Sequence, residues 1–96
     1  MKRTEILRIL NQHRNELEEL GVKSLALFGS AAREEARDDS DVDILVEFSR
    51  PVGLFEFVRL ERFLKGLLGR PVDLATPDAL RPEMREQVLK EAVYAT

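Results

Sequence analysis

The sequence predicts a small α/β domain built from one sheet and a few helices. Its 96 residues, of which 44% are hydrophobic, are enough for one core and leave no room for a second. Helical and strand patterns alternate in the order α-β-(short α)-β-α-β-α, without repeats, low-complexity segments or a linker. We therefore expect residues 1–96 to form a single domain. Because so small a domain buries a limited share of its surface, we also expect a partner, in a homodimer or a hetero-oligomer.

The first third of the chain is predicted to form a helix, a strand and a helical turn. Apolar side chains and one histidine recur at the spacing of a helix with a single buried stripe, at Ile6, Leu10, His13, Leu17 and Leu20. Gly21 follows at the position of a C-terminal cap. The segment 24–28 is short and mostly apolar, and Gly29-Ser30 follows it. This pattern predicts a buried strand that ends at a tight turn into a short helix.

The middle of the chain carries a strand and a long helix. Residues 42–48 alternate in polarity, which predicts a strand with Val42, Ile44, Val46 and Phe48 on one face and Asp43, Leu45 and Glu47 on the other. Pro51 and Gly53 then interrupt the pattern. Residues 54–68 follow as a helix whose apolar surface is wider than one buried stripe, which is typical of a core helix and also of an interface.

The last part of the chain predicts a short strand and a final helix. Pro71 suits the first position of a strand at residues 72–75. Thr76-Pro77-Asp78 provides a helix cap followed by proline at the first helical position, and Pro82 begins a last helix that runs to about residue 92.

Composition excludes several classes of function. The formal net charge is −3, and no run of lysine or arginine provides the basic stripe that nucleic-acid binding requires. There is no cysteine, hence no disulfide framework and no thiolate zinc site. We find no export signal and no apolar stretch of membrane length, so we expect a cytoplasmic protein.

Three aspartates form the candidate catalytic and metal-binding set. Asp41 and Asp43 are two positions apart at the start of a strand, so their carboxylates lie on the same face. Asp73 lies in the next predicted strand, opposite its two apolar neighbours. If these strands are adjacent, three carboxylates share one face, where their repulsion favours a bound cation, and oxygen ligands favour magnesium or manganese over zinc. Such a set suits two metal ions that clamp the attacking and leaving oxygens of phosphoryl transfer.

A second motif provides a candidate phosphate site. Gly29-Ser30 lies where the first strand turns into a short helix, so backbone N–H groups and the Ser30 hydroxyl are expected to face a phosphate. Gly29 can adopt a positive φ and let the phosphate approach the backbone. Arg33, one turn further on, can reach the same phosphates, although a surface or capping role is an equal alternative.

Together these motifs resemble a known signature. Gly29-Ser30, Arg33, Ser40-Asp41-Val42-Asp43 and Val72-Asp73-Leu74 resemble the pattern of the DNA polymerase β nucleotidyltransferase superfamily, most closely its minimal nucleotidyltransferase (MNT) branch. The resemblance extends over essentially the whole chain. It implies a polymerase β palm-like fold, a small mixed sheet with helices packed on one face, with ATP as substrate, two Mg²⁺ ions, and Asp41, Asp43 and Asp73 as the catalytic metal ligands.

The resemblance also implies a partner. Minimal nucleotidyltransferases of this type are paired with a HEPN-type toxin, a helical ribonuclease, which they neutralise by transferring AMP to a toxin tyrosine. One feature departs from the family: Glu34-Glu35 follow Arg33, where members often have glycine, and this added negative charge is expected to weaken nucleotide binding.

Two other functions stay open at this stage. One is a non-catalytic antitoxin that neutralises its partner by occlusion. The other is a nucleotidyltransferase subunit that modifies a small molecule of the aminoglycoside type, although such enzymes usually need a second domain to shape the acceptor pocket.

Overall fold

The computed structural model describes residues 2–33 and 41–95, with Ser30 described by its backbone alone. Its helices are α1 (Arg3–Gln12), α2 (Arg14–Glu19), α3 (Gly29–Ala32), α4 (Leu54–Leu68) and α5 (Pro82–Glu91). Its strands are β1 (Val22–Leu27), β2 (Val42–Phe48), β3 (Val72–Ala75) and β4 (Val93–Tyr94), and a 3-10 turn occupies Pro77–Ala79. The bounds of β2, α4 and β3 are those that the sequence predicts.

The four strands form one mixed sheet in the order β3-β2-β1-β4. β1 is antiparallel to both β2 and β4, whereas β2 and β3 are parallel and are connected through α4. A parallel pair needs a crossover of this kind, because its strands run in the same direction. The predicted α/β fold with a small mixed sheet is therefore confirmed.

The main core lies between one face of the sheet and α1, α2 and α4. Leu25 and Leu27 of β1 contribute to it, as do three of the four β2 residues that were predicted to share one face, while the fourth, Phe48, is partly buried against them. The core includes Ile6, Leu10, Leu17, Leu25, Leu27, Val42, Ile44, Val46, Leu60 and Leu64. Since these side chains fill the core face, the residues between them on each strand must face the other way.

The first predicted helix is broken into two. The backbone at His13 (φ −107°, ψ 23°) leaves the helical region, so α1 ends before it and α2 begins after it. His13 nevertheless packs as expected: its Nδ1 lies 2.9 Å from the Ile9 carbonyl oxygen, and its ring meets Phe63 edge-on at 6.4 Å. The apolar stripe continues through the break, which is why periodicity alone predicted one helix.

Two further details differ from the prediction. β1 begins at Val22 and ends at Leu27, earlier at both ends than the predicted strand at residues 24–28. After α5 the chain adds β4, a strand of two residues that was not predicted, and the Ala95 N–H donates to the Leu25 carbonyl at 2.8 Å. β4 is therefore an edge strand of the sheet, next to β1.

The long helix α4 divides its wide apolar surface between core and solvent. Leu60 and Leu64 are fully buried, while Leu54 and Phe55 are 78% and 92% exposed. Across residues 2–33 and 41–95, none of the helices has both the length and the apolar character needed to cross a membrane.

Candidate active site

Asp43 and Asp73 are direct partners across the parallel strands β2 and β3. Each lies between two core residues, so both carboxylates lie on the face opposite the main core. That face is covered at Leu45 and Ala26, which are buried, but Asp43 is half-buried and Asp73 is exposed. Asp41 is exposed just before β2 begins. The structure thus brings the three predicted aspartates to the same end of one strand pair.

The charges of these aspartates act on one another. Burial raises the pKa of Asp43 above its ordinary value, the Asp73 and Asp41 carboxylates raise it further, and the Arg33 guanidinium lowers it. The site therefore holds more negative charge than Arg33 offsets, a condition that a bound cation would relieve. Within the described ranges 2–33 and 41–95, however, no three acidic, histidine or cysteine side chains already converge in a metal-binding arrangement.

Gly29 lies directly beneath the Asp43 carboxylate. Its φ is +60°, in the left-handed region that glycine adopts without steric penalty. A Cβ at this position would lie 2.5 Å from Asp43 Oδ2 and 3.3 Å from Asp43 Cγ. Both the backbone conformation and the close approach of Asp43 therefore require glycine here. The sequence analysis predicted the positive φ but not the contact with Asp43.

Backbone and side-chain hydrogen bonds hold this turn in place. The Phe28 N–H donates to the Asp43 carbonyl at 3.0 Å, which fixes the end of β1 against β2. At the other end of α3, the Ala32 carbonyl accepts a hydrogen bond of 2.6 Å from Nη1 of Arg3, the first residue of α1. This bond serves a carbonyl that the helix itself leaves without a partner. Sequence reasoning missed Arg3, because nothing in its local pattern links it to a turn 29 residues away.

Arg33 begins the segment that follows α3 and makes an ion pair with Glu91. Its Nη1 lies 3.1 Å from Glu91 Oε2, at the end of α5. Glu91 was also missed by the sequence analysis, since residues 58 positions apart share no local signal. The predicted phosphate role of Arg33 stays a prediction, and so does that of Ser30, whose side chain lies outside the described structure. Glu34 and Glu35 also lie outside the described residues.

Comparison with known proteins identifies the family. The family model described as "Nucleotidyltransferase domain" matches residues 10–95, nearly the whole chain. This chain belongs to the nucleotidyltransferase domain family. The resemblance stated from the motifs is thereby confirmed, and the solved structure described below confirms its place in the minimal branch.

The most informative relative is the protein adenylyltransferase MntA of Thermococcus cleftensis. It is 46% identical over 91 residues, which cover 94% of this chain and 92% of the relative. A protein of Methanocaldococcus jannaschii assigned as a protein adenylyltransferase is 40% identical over 93 residues, with 95% of each chain covered. These relatives match this nucleotidyltransferase domain along its length.

Solved structures agree with the fold. A structure assigned as a minimal nucleotidyltransferase superposes with a TM-score of 0.82 at 41% identity and covers 97% of this chain and 95% of that one.

Proposed function

We propose that this nucleotidyltransferase is a magnesium-dependent protein adenylyltransferase that transfers AMP from ATP to a tyrosine of a HEPN-type toxin, and so acts as an antitoxin. The observation that carries the proposal is the position of Asp43, which is paired with Asp73 in the sheet and lies against Gly29. A carboxylate set and a glycine turn in contact would place metal and phosphate side by side. Phosphoryl transfer depends on that juxtaposition.

The chemistry of the donor set fits magnesium. Asp41, Asp43 and Asp73 offer only carboxylate oxygens, the ligands that Mg²⁺ prefers. Burial and, after it, the Asp73 and Asp41 carboxylates raise the pKa of Asp43, and a bound cation would relieve the repulsion between these carboxylates. These three residues would hold the metal, which when bound supplies positive charge to the triphosphate. Their side chains must rotate toward one another to do so, since they do not converge in the described structure.

Gly29, Ser30 and Arg33 are the proposed phosphate ligands. Gly29 places no side chain of its own between a phosphate and the backbone, and the Asp43 carboxylate lies at the position of its missing Cβ. Ser30 would donate its hydroxyl hydrogen, and Arg33 would supply charge-assisted hydrogen bonds. The tyrosine oxygen of the acceptor would attack the α-phosphorus of ATP, forming an O–P bond as the bond from the α-phosphorus to the pyrophosphate oxygen breaks, with pyrophosphate leaving and the phenolic proton passing to solvent.

The relatives support a protein as the acceptor. The Thermococcus relative, at 46% identity, bears the name of a protein adenylyltransferase, which supports a protein as acceptor. A crystal structure of a toxin-antitoxin with AMP-PNP matches this chain with a TM-score of 0.71 at 21% identity, covering 100% of this chain and 73% of that one. A likeness at that identity shows the fold alone. The HEPN toxin and its tyrosine come to the proposal from the motif resemblance.

The test is Asp43→Asn, assayed by the mass of a co-expressed HEPN toxin. The substitution keeps the shape of the side chain and removes one charge, so we expect AMP transfer to fall on the order of a thousandfold while toxin binding persists. Glu47→Gln is the matched control, because Glu47 is a half-buried acid on the same face of β2. It should transfer AMP as the parent does. If the parent adds no AMP and Asp43→Asn protects cells equally well, neutralisation by binding replaces the enzymatic function.

A further inference from the structure

An ion pair connects the end of α3 to the end of α5. Arg33 Nη1 and Glu91 Oε2 are 3.1 Å apart, although the residues are 58 positions apart in sequence. The two helices are in contact at this point. The Arg33 and Glu91 side chains keep 45% and 38% of their surface exposed, so water screens the attraction between them. Exposed pairs of this kind contribute little to the stability of a fold.

The consequence of the pair therefore lies in where it places the guanidinium. Arg33 follows Gly29 by one helical turn, and its N–H donates to the Gly29 carbonyl at 3.3 Å. Burial and the Asp73 and Asp41 carboxylates raise the pKa of Asp43, and the Arg33 guanidinium is close enough for its charge to oppose that rise. The backbone of Arg33 is therefore next to the glycine turn, and its guanidinium is within electrostatic range of the Asp43 carboxylate.

We infer that Glu91 is a positioning residue that holds the Arg33 guanidinium beside the phosphates of the bound nucleotide. This inference rests on the proposed function. An arginine side chain has many rotamers, and restricting them in the free protein reduces the entropy lost when phosphate binds. A guanidinium can also contact a carboxylate along one edge and phosphate oxygens along another.

The effect opposes a simple electrostatic expectation. Glu91 brings a negative charge toward a negatively charged ligand, so Coulomb's law alone predicts that Glu91→Gln tightens ATP binding. Positioning predicts the reverse: weaker binding when Glu91 is lost. The sign of the change therefore separates the two effects.

The experiment is a double-mutant cycle on the affinity for ATP with magnesium. We expect Glu91→Gln to raise the Kd for ATP roughly three- to tenfold, since part of the rotamer entropy of Arg33 is then lost on binding. In the Arg33→Gln background the same substitution should leave the Kd unchanged or lower it slightly. Glu91→Asp should restore part of the affinity. The control is Glu86→Gln, an exposed acid on α5 whose loss changes the net charge equally.

A second readout does not depend on ATP. The side-chain Nε–H signal of Arg33 in ¹⁵N NMR should report an ordered guanidinium in the parent and a mobile one in Glu91→Gln. Equal ATP affinity in parent and Glu91→Gln, tighter binding, or an unchanged Arg33 signal would overturn the inference while leaving the proposed function intact. A parent that binds ATP but transfers no AMP would instead contradict the proposed function. A parent that does not bind ATP would contradict both.

Discussion

The Asp43 carboxylate lies so close to Gly29 that Oδ2 would be 2.5 Å from any Cβ added to the glycine. Two parts of the motif that lie 14 positions apart in sequence are therefore in direct steric contact. The glycine is needed because of Asp43 as well as because of its own φ of +60°. A side chain at residue 29 would displace the carboxylate as well as strain the backbone.

We predict that Gly29→Ala destabilises the domain and weakens ATP binding. A left-handed conformation costs a non-glycine residue roughly 1–2 kcal/mol, before the contact with Asp43 is counted. Urea unfolding and ATP titration measure the two effects. The control is Gly66→Ala, because Gly66 lies inside α4 with no atom within 4 Å of an added Cβ. The free energy of unfolding of that variant should rise by about 0.5–1 kcal/mol. Equal losses of stability in both variants would contradict a specific clash between residue 29 and Asp43.

Asp43→Asn should raise the melting temperature of the metal-free protein at pH 7. The pKa of Asp43 is raised in the folded chain, so the folded state binds a proton that the unfolded chain releases. Its free energy of unfolding therefore falls as pH rises from the ordinary aspartate pKa through the raised value, and asparagine escapes that loss. Melting curves in chelator across this pH range test the prediction. A variant that melts below the parent at pH 7 would show that Asp43 stabilises the fold.

ATP with magnesium should stabilise the protein more than ATP with chelator. A ligand that binds only the native state adds about 2.7 kcal/mol when its free concentration is about 100 times its Kd. Without a divalent ion, the aspartates repel the triphosphate and affinity should fall. Thermal shift assays provide the measurement, with magnesium alone as the control. Equal shifts in magnesium and in chelator would argue against a metal bridge between Asp43 and the nucleotide.

Two substitutions on α4 should separate its core face from its exposed end. Leu60 is fully buried, so Leu60→Ala should lower the free energy of unfolding by about 2–5 kcal/mol. Phe55 is 92% exposed, and Phe55→Ser should change the free energy of unfolding by no more than about 0.5 kcal/mol. Urea unfolding of the isolated chain measures both. A large loss in Phe55→Ser would mean that the isolated chain buries this ring, for instance by self-association.

Sequence predicted best those elements whose pattern ends at a clear break. β2 alternates in polarity except at Leu45, and Pro51 and Gly53 separate it from α4, so the bounds of both were predicted. β4 was not predicted, because a strand of two residues is too short to show alternation. The break at His13 was missed for the opposite reason, since the apolar period runs through it unchanged.

The residues of the candidate site were predicted from the sequence, but the residues that hold them in place were not. Alternation placed Asp43 and Asp73 on one face, and the structure pairs them across adjacent strands. Arg3 and Glu91 could not be foreseen, because their contacts with α3 and Arg33 depend on how distant helices meet. The metal-binding role of the three aspartates and the phosphate-binding role of Gly29, Ser30 and Arg33 stay predictions.

The parallel pairing of β2 with β3 bears on the order in which the strands pair during folding. β1 and β2 are consecutive strands, whereas the whole of α4 separates β3 from β2 in sequence. Contacts that close long loops tend to form late in folding. The repulsion between Asp43 and Asp73 would then arise after the folding transition state. Relieving it with Asp73→Asn should slow unfolding and leave the folding rate unchanged, so this carboxylate pair would limit the lifetime of the folded state and not the speed of its formation.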